Sequence, residues 1–194
     1  MGILYMGYGM GKIVVIFSSP RKDGNSCTIG RAVVDGATGF STNMFKIYRL
    51  NRLRFMNGCT HCDKCKETGT CVIDDDILPI LEDIKTADAL IVATPMYFGR
   101  ANAPYYMLES RLYSLIENVR KASVETRRKF IPIITYDADD EVANSLLRSF
   151  NDIFAHLRFE IVEGIVYRTD GNKDAARNDK NIRIVANNIG KKLL

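Results

Sequence analysis

Residues 12–26 read Lys12-Ile13-Val14-Val15-Ile16-Phe17-Ser18-Ser19-Pro20-Arg21-Lys22-Asp23-Gly24-Asn25-Ser26. The run KIVVIF is too short for a helix, rich in β-branched residues and apolar at successive positions, as expected of a strand buried on both faces. The next residues carry turn chemistry, with Pro20, Asp23 and Gly24 among hydroxyl and amide side chains. Helical spacing then resumes over residues 26–37, with Asn25 or Ser26 expected to cap the helix.

The same alternation continues along the chain. Strands are expected at 43–48, 89–94 (ALIVAT), 129–135 and 159–167. Helices are expected at 75–85, with Asp74 and Asp75 at the start, at 103 to about 119, at 141–157 and at 174–193. Apolar strands alternating with helices specify an α/β domain, a doubly wound parallel sheet covered on both faces. In such sheets ligands bind beyond the carboxyl ends of the strands, which directs attention to the loops at Ser18, Pro95 and Tyr136.

The first of these loops opens onto a helix N-terminus, where unpaired N–H groups and the helix dipole favour an anion such as a terminal phosphate. The alternative is that Asn25 and Ser26 only cap the helix. The loop after the third strand, Thr94-Pro95-Met96-Tyr97-Phe98-Gly99, sets an aromatic pair and a rigid proline where a flat ring can rest, although such a pair also serves as core packing. Gly7-Tyr8-Gly9-Met10-Gly11 precedes the first strand instead of following it, which excludes a dinucleotide fingerprint.

Four of the five cysteines fall at Cys59, Cys62, Cys65 and Cys71, the spacing C-x2-C-x2-C-x5-C. A run this compact can wrap one iron-sulfur cube, four thiolates for four irons. Zinc knuckles space their pairs farther apart, and free thiols persist where the compartment is reducing; both alternatives stay open on spacing alone. Cys27, near a helix start, reads as a buried inert thiol. His61 reads as a solvated loop residue and His156 as a helix-surface one.

Composition narrows the field. A chain of 194 residues with 46% hydrophobic content suits one well-buried core, and 27 Lys and Arg mixed among 23 acidic residues form no basic stripe, which argues against nucleic acid. No apolar stretch approaches membrane-spanning length. Residues 1–11 are glycine-rich and expected to be a disordered extension, followed by a single domain over 12–194 with a cysteine-rich loop at 55–73. The expected location is cytoplasmic.

The chain resembles the flavodoxin-like NAD(P)H-dependent FMN reductases, and within them the iron-sulfur flavoproteins. The resemblance rests on Ser18-Ser19-Pro20-Arg21 with Gly24-Asn25-Ser26, on Gly58-Cys59 to Cys71-Val72 with Asp75-Asp76, and on Ala87-Asp88 through Pro95-Met96-Tyr97-Phe98. It implies a five-stranded sheet in the order 2-1-3-4-5. It also implies an FMN phosphate held by Ser18, Pro20, Arg21, Asn25 and Ser26 with Cys27 adjacent, and an isoalloxazine cradled by Pro95, Met96, Tyr97, Phe98 and Gly99. A 4Fe-4S cluster on Cys59, Cys62, Cys65 and Cys71 follows from the same likeness, as does a homodimer or homotetramer in which one subunit's cluster serves another's flavin.

The expected activity is electron transfer from a low-potential, ferredoxin-like donor through the cluster to FMN and on to a small acceptor, with no acid-base residue required. The alternatives are an NAD(P)H-dependent FMN or quinone reductase without a cluster, and a flavin-binding redox sensor without turnover. One departure stands out: relatives carry glycines after the fourth strand, whereas Asp137-Ala138-Asp139-Asp140-Glu141 sets negative charge where it would repel an anionic cofactor.

Overall fold

The computed structural model describes residues 11–39, 43–121 and 127–193. Strands β1 (Lys12–Phe17), β2 (Met44–Arg49), β3 (Ala89–Tyr97), β4 (Arg100–Ala101), β5 (Arg128–Tyr136), β6 (Phe159–Ile161) and β7 (Ile165–Arg168) alternate with helices α1 (Asn25–Thr38), α2 (Lys64–Thr68), α3 (Leu78–Lys85), α4 (Ala103–Leu112), α5 (Ile116–Lys121), α6 (Asp140–Ala155), α7 (Ala175–Asn178) and α8 (Lys180–Gly190). The sheet runs β2-β1-β3-β5, and β6 and β7 together form its far edge. Apart from the short β4, all pairings are parallel. The expected order 2-1-3-4-5 is therefore present, with β5 as the fourth strand. Except for residue 11, the N-terminal extension expected at 1–11 lies outside the described residues.

Alternate side chains of each strand enter two cores, as a pleated backbone requires. Val14, Ile16, Leu90, Val92 and Phe130 pack on one face with α3, α4 and α6. Ile13, Val15, Phe17, Ile91 and Ile133 pack on the other with α1 and α8. Residues 13–17 are at most 2% exposed, which confirms that the opening run is covered on both faces.

The helix expected at 103 to about 119 is broken into α4 and α5 by a 3-10 turn at Tyr113–Leu115, the one expected at 75–85 starts at Leu78, and three further elements differ in form. The strand at 159–167 is two pieces, because three residues (162–164) separate the partners of Phe130 and Ile133, between which β5 has only two. The break lies opposite Pro132, which has no N–H to give to a ladder. The helix at 174–193 breaks at Asp179, whose extended backbone ends α7 and whose carboxylate accepts from Asn181 N–H and Ile182 N–H to start α8. The start of α1 also differs: Gly24 occupies the cap position and no side chain caps the helix.

Helices α1 and α8 touch backbone to backbone. A Cβ on Gly36 would lie 1.9 Å from the Asn187 carbonyl oxygen, and one on Gly190 would lie 2.0 Å from that of Val33. Neither neighbour is a flexible side-chain end, so Gly36→Ala is expected to force the helices apart and to cost about 1–3 kcal/mol. A urea titration measures this directly; an unchanged midpoint would mean that the two helices separate freely.

Candidate functional site

A cavity of about 190 Å³ opens at the carboxyl ends of the strands, where a doubly wound sheet binds ligands. Its floor is the start of α1. Thr28 N–H reaches the Gly24 carbonyl at 2.9 Å, so the N–H groups before it have no intrahelical partner. The Ser26 hydroxyl is buried beside them without a hydrogen-bond partner. Uncapped N–H groups, a helix dipole and an orphaned hydroxyl make an anion-ready pocket. Arg21 and Lys173 line the same cavity. Gly24 permits the loop to close, since a Cβ there would meet Ser19 Oγ at 2.9 Å.

The structure brings Arg21, Asn25, Ser26, Pro95, Met96 and Tyr97 to this cavity, and Ser18, Pro20, Cys27, Phe98 and Gly99 do not line it. Ser18 turns into the sheet, its hydroxyl on the Ala93 carbonyl at 3.4 Å and its carbonyl accepting from Asn102 Nδ2. Its neighbour Ser19, past the end of β1, lines the cavity instead, its hydroxyl accepting from Arg21 N–H. Pro20 is exposed, and its carbonyl accepts from Asn51. Cys27 is fully buried in the core, and that burial raises its thiol pKa despite nearby Arg49 and Arg31. Asn25 lines the cavity, yet its side chain bridges two elements, donating to the Asn172 carbonyl and accepting from Ala176 N–H.

The pair Tyr97-Phe98 is not core packing. Tyr97 is 49% exposed and Phe98 fully so. β3 runs past its expected end at Thr94 and turns back into β4 through Phe98 and Gly99, with Tyr97 opposite Arg100. Both turn residues have positive φ, 51° and 76°, as a tight two-residue hairpin demands. A left-handed phenylalanine costs roughly 1–2 kcal/mol. Glycine's greater unfolded-state entropy offsets part of that gain, so Phe98→Gly is expected to raise Tm by about 2–4 °C, with calorimetry as the check; a lowered Tm would show that the exposed ring makes contacts that matter for stability.

Of the acidic residues 137 and 139–141, only Asp137 lines the cavity. Asp137 accepts from Thr169 Oγ1 and from Gly171 N–H. Asp139 caps α6 through Glu141 N–H. Asp140 accepts from Tyr136 OH and pairs with Arg168, and Glu141 pairs with Arg148. Two of these four carboxylates are paired with arginines, while Asp137 and Asp139 meet only neutral donors and keep their charge. Asp137 also anchors residues 169–173, a fourth loop at the cavity that the sequence reading passed over; its signal was the turn sequence Thr169-Asp170-Gly171-Asn172.

The four clustered cysteines line one further pocket, on the loop that follows edge strand β2. All are free thiols. His61 and Asp63, on either side of Cys62, have left-handed backbones, φ 53° and 59°. The Lys64 backbone N–H lowers the Cys62 thiol pKa. Burial raises that of Cys65, with the neighbouring Cys71 adding to the effect. The enclosed space is small, about 20 Å³, and among the described residues no group of three or more His, Cys, Asp or Glu is drawn together tightly enough for a single metal ion.

The neck of this loop is built on a buried ion pair. Arg111, from α4, and Asp75 have side chains 0% and 1% exposed and stand 2.9 Å apart. Arg111 also donates to the carbonyls of Asn57 and Ile73 and, through Nε, to Cys71 Sγ at 3.1 Å. Asp75 accepts from Asn57 N–H and Ile77 N–H. Next to it, Asp76 accepts from Arg54 N–H and Phe55 N–H. Ser110 accepts from Cys59 N–H at 3.1 Å. Sequence reading placed Asp75 at a helix start and gave Arg111 no role, because their pairing across 36 residues is a tertiary fact.

These features define the class: a flavodoxin-like α/β protein with an anion-ready helix start and a separate cysteine pocket. The chain belongs to the NADPH-dependent FMN reductase family, which matches residues 11–170. It is 34% identical over 102 residues to an iron-sulfur flavoprotein of Methanocaldococcus jannaschii, covering 52% of this chain and 51% of that one. It is 38% identical over 103 residues to an iron-sulfur flavoprotein of Methanosarcina thermophila, again 52% and 51%. The chain thus spans about half the length of the curated relatives it matches. Its fold is similar to that of an NAD(P)H:quinone oxidoreductase from Methanothermobacter marburgensis, with TM-score 0.71, 15% identity and coverage of 95% and 96%. A flavodoxin from the domain Archaea gives TM-score 0.57, 10% identity and coverage of 94% and 95%. Among the described residues no helix is long and apolar enough to cross a membrane.

Proposed function

We propose that this chain is an FMN-dependent electron-transfer oxidoreductase carrying a 4Fe-4S cluster, which takes electrons from a low-potential, ferredoxin-like donor and delivers them to a small acceptor. The observation that carries the flavin reading is the orphaned Ser26 hydroxyl at an uncapped helix start, inside the cavity at the strand ends. Ser26, the first-turn N–H groups of α1, Arg21 and Lys173 would hold the phosphate. Pro95, Met96 and Tyr97 would flank the ring, with the hairpin at its edge.

Cys59, Cys62, Cys65 and Cys71 would hold the cluster. A cube binds each thiolate through a different iron, so its ligands stand farther apart than those of one ion, and a donor set of four thiols on one pocket suits it. When bound, FMN supplies one- or two-electron chemistry and the cluster one-electron chemistry. The protein's part is to hold both, shielded and oriented, and no proton donor is required of it. The names of the relatives support the same reading. The proposed assembly is a homodimer or homotetramer, and sedimentation as a monomer at micromolar concentration would remove that element.

A second reading has the tightness of the cysteine pocket in its favour: an NAD(P)H-dependent FMN or quinone reductase with structural thiols. The test is an absorption spectrum of anaerobically purified protein with iron and acid-labile sulfide assays. Flavin bands, a shoulder near ~400 nm that bleaches with dithionite, and about four irons per chain are expected. Flavin without iron after reconstitution selects the second reading, and absence of flavin defeats both.

A further inference from the structure

Arginine is seldom fully buried unless its donors are satisfied, and Arg111 satisfies them in an unusual way. Four of its five N–H donors are used: one on Asp75, two on the carbonyls of Asn57 and Ile73, and Nε on Cys71 Sγ. The two carbonyls lie on opposite strands of the loop neck, before Cys59 and after Cys71. Ser110, adjacent on α4, holds Cys59 N–H. One helix end therefore grips the first and the last cysteine of the run together.

A neutral thiol is a weak acceptor, whereas a thiolate facing a guanidinium makes a charge-assisted bond about twice as strong as a neutral one. Among the described residues, the Cys71 sulfur alone of the four faces such a donor, a guanidinium wholly shielded from water. Each electron added to a cluster adds negative charge, and N–H···S bonds and a buried cation favour the more negative state.

We propose that Arg111 is a positioning and tuning residue for the cluster: it fixes the neck of the cysteine loop and raises the cluster's reduction potential through its bond to the Cys71 sulfur. The inference rests on the cluster reading above. It makes Arg111 specific in kind, since a lysine ammonium can meet Asp75 as a point charge but cannot fork across a sulfur, a carboxylate and two carbonyls.

The test uses Arg111→Gln and Arg111→Lys in the full chain, reconstituted anaerobically, with the cluster followed by EPR during a redox titration. Arg111→Gln should lower the midpoint potential by about 60 mV or more, the equivalent of a tenfold shift in the one-electron equilibrium. Arg111→Lys should restore part of that shift, with flavin content unchanged in both. Wild-type iron content and potential in both variants would overturn the proposal and leave Arg111 a structural residue. If Arg111→Gln fails to fold, wild-type protein with arginine labelled by heavy nitrogen at Nε decides: a nitrogen coupling to the reduced cluster is expected, and its absence overturns the proposal. Wild-type protein that takes up no iron defeats the cluster reading itself, and this inference with it; that outcome is distinct from iron-loaded variants with unshifted potentials.

Discussion

Asp75→Ala is expected to destabilise the fold by about 3–5 kcal/mol, the usual cost of stripping a buried charge of its partner. The carboxylate is 1% exposed and serves three donors: the Arg111 guanidinium, Asn57 N–H and Ile77 N–H. Its loss leaves the Arg111 charge shielded from water with only carbonyls and a thiol around it. For a chain of this size the loss corresponds to about 6–20 °C in Tm. Removing both charges in Asp75→Ala/Arg111→Met should recover much of it, because an apolar pair avoids the uncompensated charge. Thermal melts of the single and double variants measure the effect. A cost below about 1 kcal/mol for Asp75→Ala would mean that water reaches Arg111 and that the neck is not the rigid element described.

Ser26→Asp is expected to weaken FMN binding at least a hundredfold while leaving the fold intact. A carboxylate in the first turn of α1 sits at the positive end of the helix dipole, which stabilises the helix by about 0.3–1 kcal/mol. The same carboxylate would satisfy the free N–H groups that otherwise await the phosphate and would repel it, and like charges brought together cost several kcal/mol. The two effects have opposite signs, so a titration followed by flavin fluorescence, beside a thermal melt of the apoprotein, separates loss of the site from loss of the fold. Affinity equal to wild type would place the phosphate somewhere other than this helix start.

The phosphate loop also shows where reading by sequence stops. Serine at 18 and serine at 19 are equivalent in composition, and the resemblance pointed to the first. The path of the loop after β1 separates them, with Ser18 on the Ala93 carbonyl and Ser19 at the cavity. Asn25 has the right chemistry for a cap and does not cap the helix; Asn172 and Ala176, some 150 positions away, take one of its two amide donors and its Oδ1. Phe98 reads either as part of a ring cradle or as core packing, and the second is excluded: it is the exposed tip of a hairpin, a consequence of β3 extending three residues beyond its apolar run.

What the sequence determined by itself was the part governed by short-range pattern. Continuous apolar runs make strands covered on both faces, helical spacing makes their covers, and their alternation leaves a parallel sheet with its ligand loops at the carboxyl edge. The C-x2-C-x2-C-x5-C run likewise needed only proximity along the chain to be legible as one group of thiols. Tertiary structure alone decided which polar groups remain free. Hydrogen bonds and ion pairs are made between residues that chain distance does not relate: Asp137 to Thr169, Asn25 to Ala176, Asp75 to Arg111. Once those are made, the Ser26 hydroxyl is left over in the cavity and the Arg111 guanidinium is left facing the Cys71 sulfur. A residue's type states what it can bind, and only the folded neighbourhood states what it has not already bound.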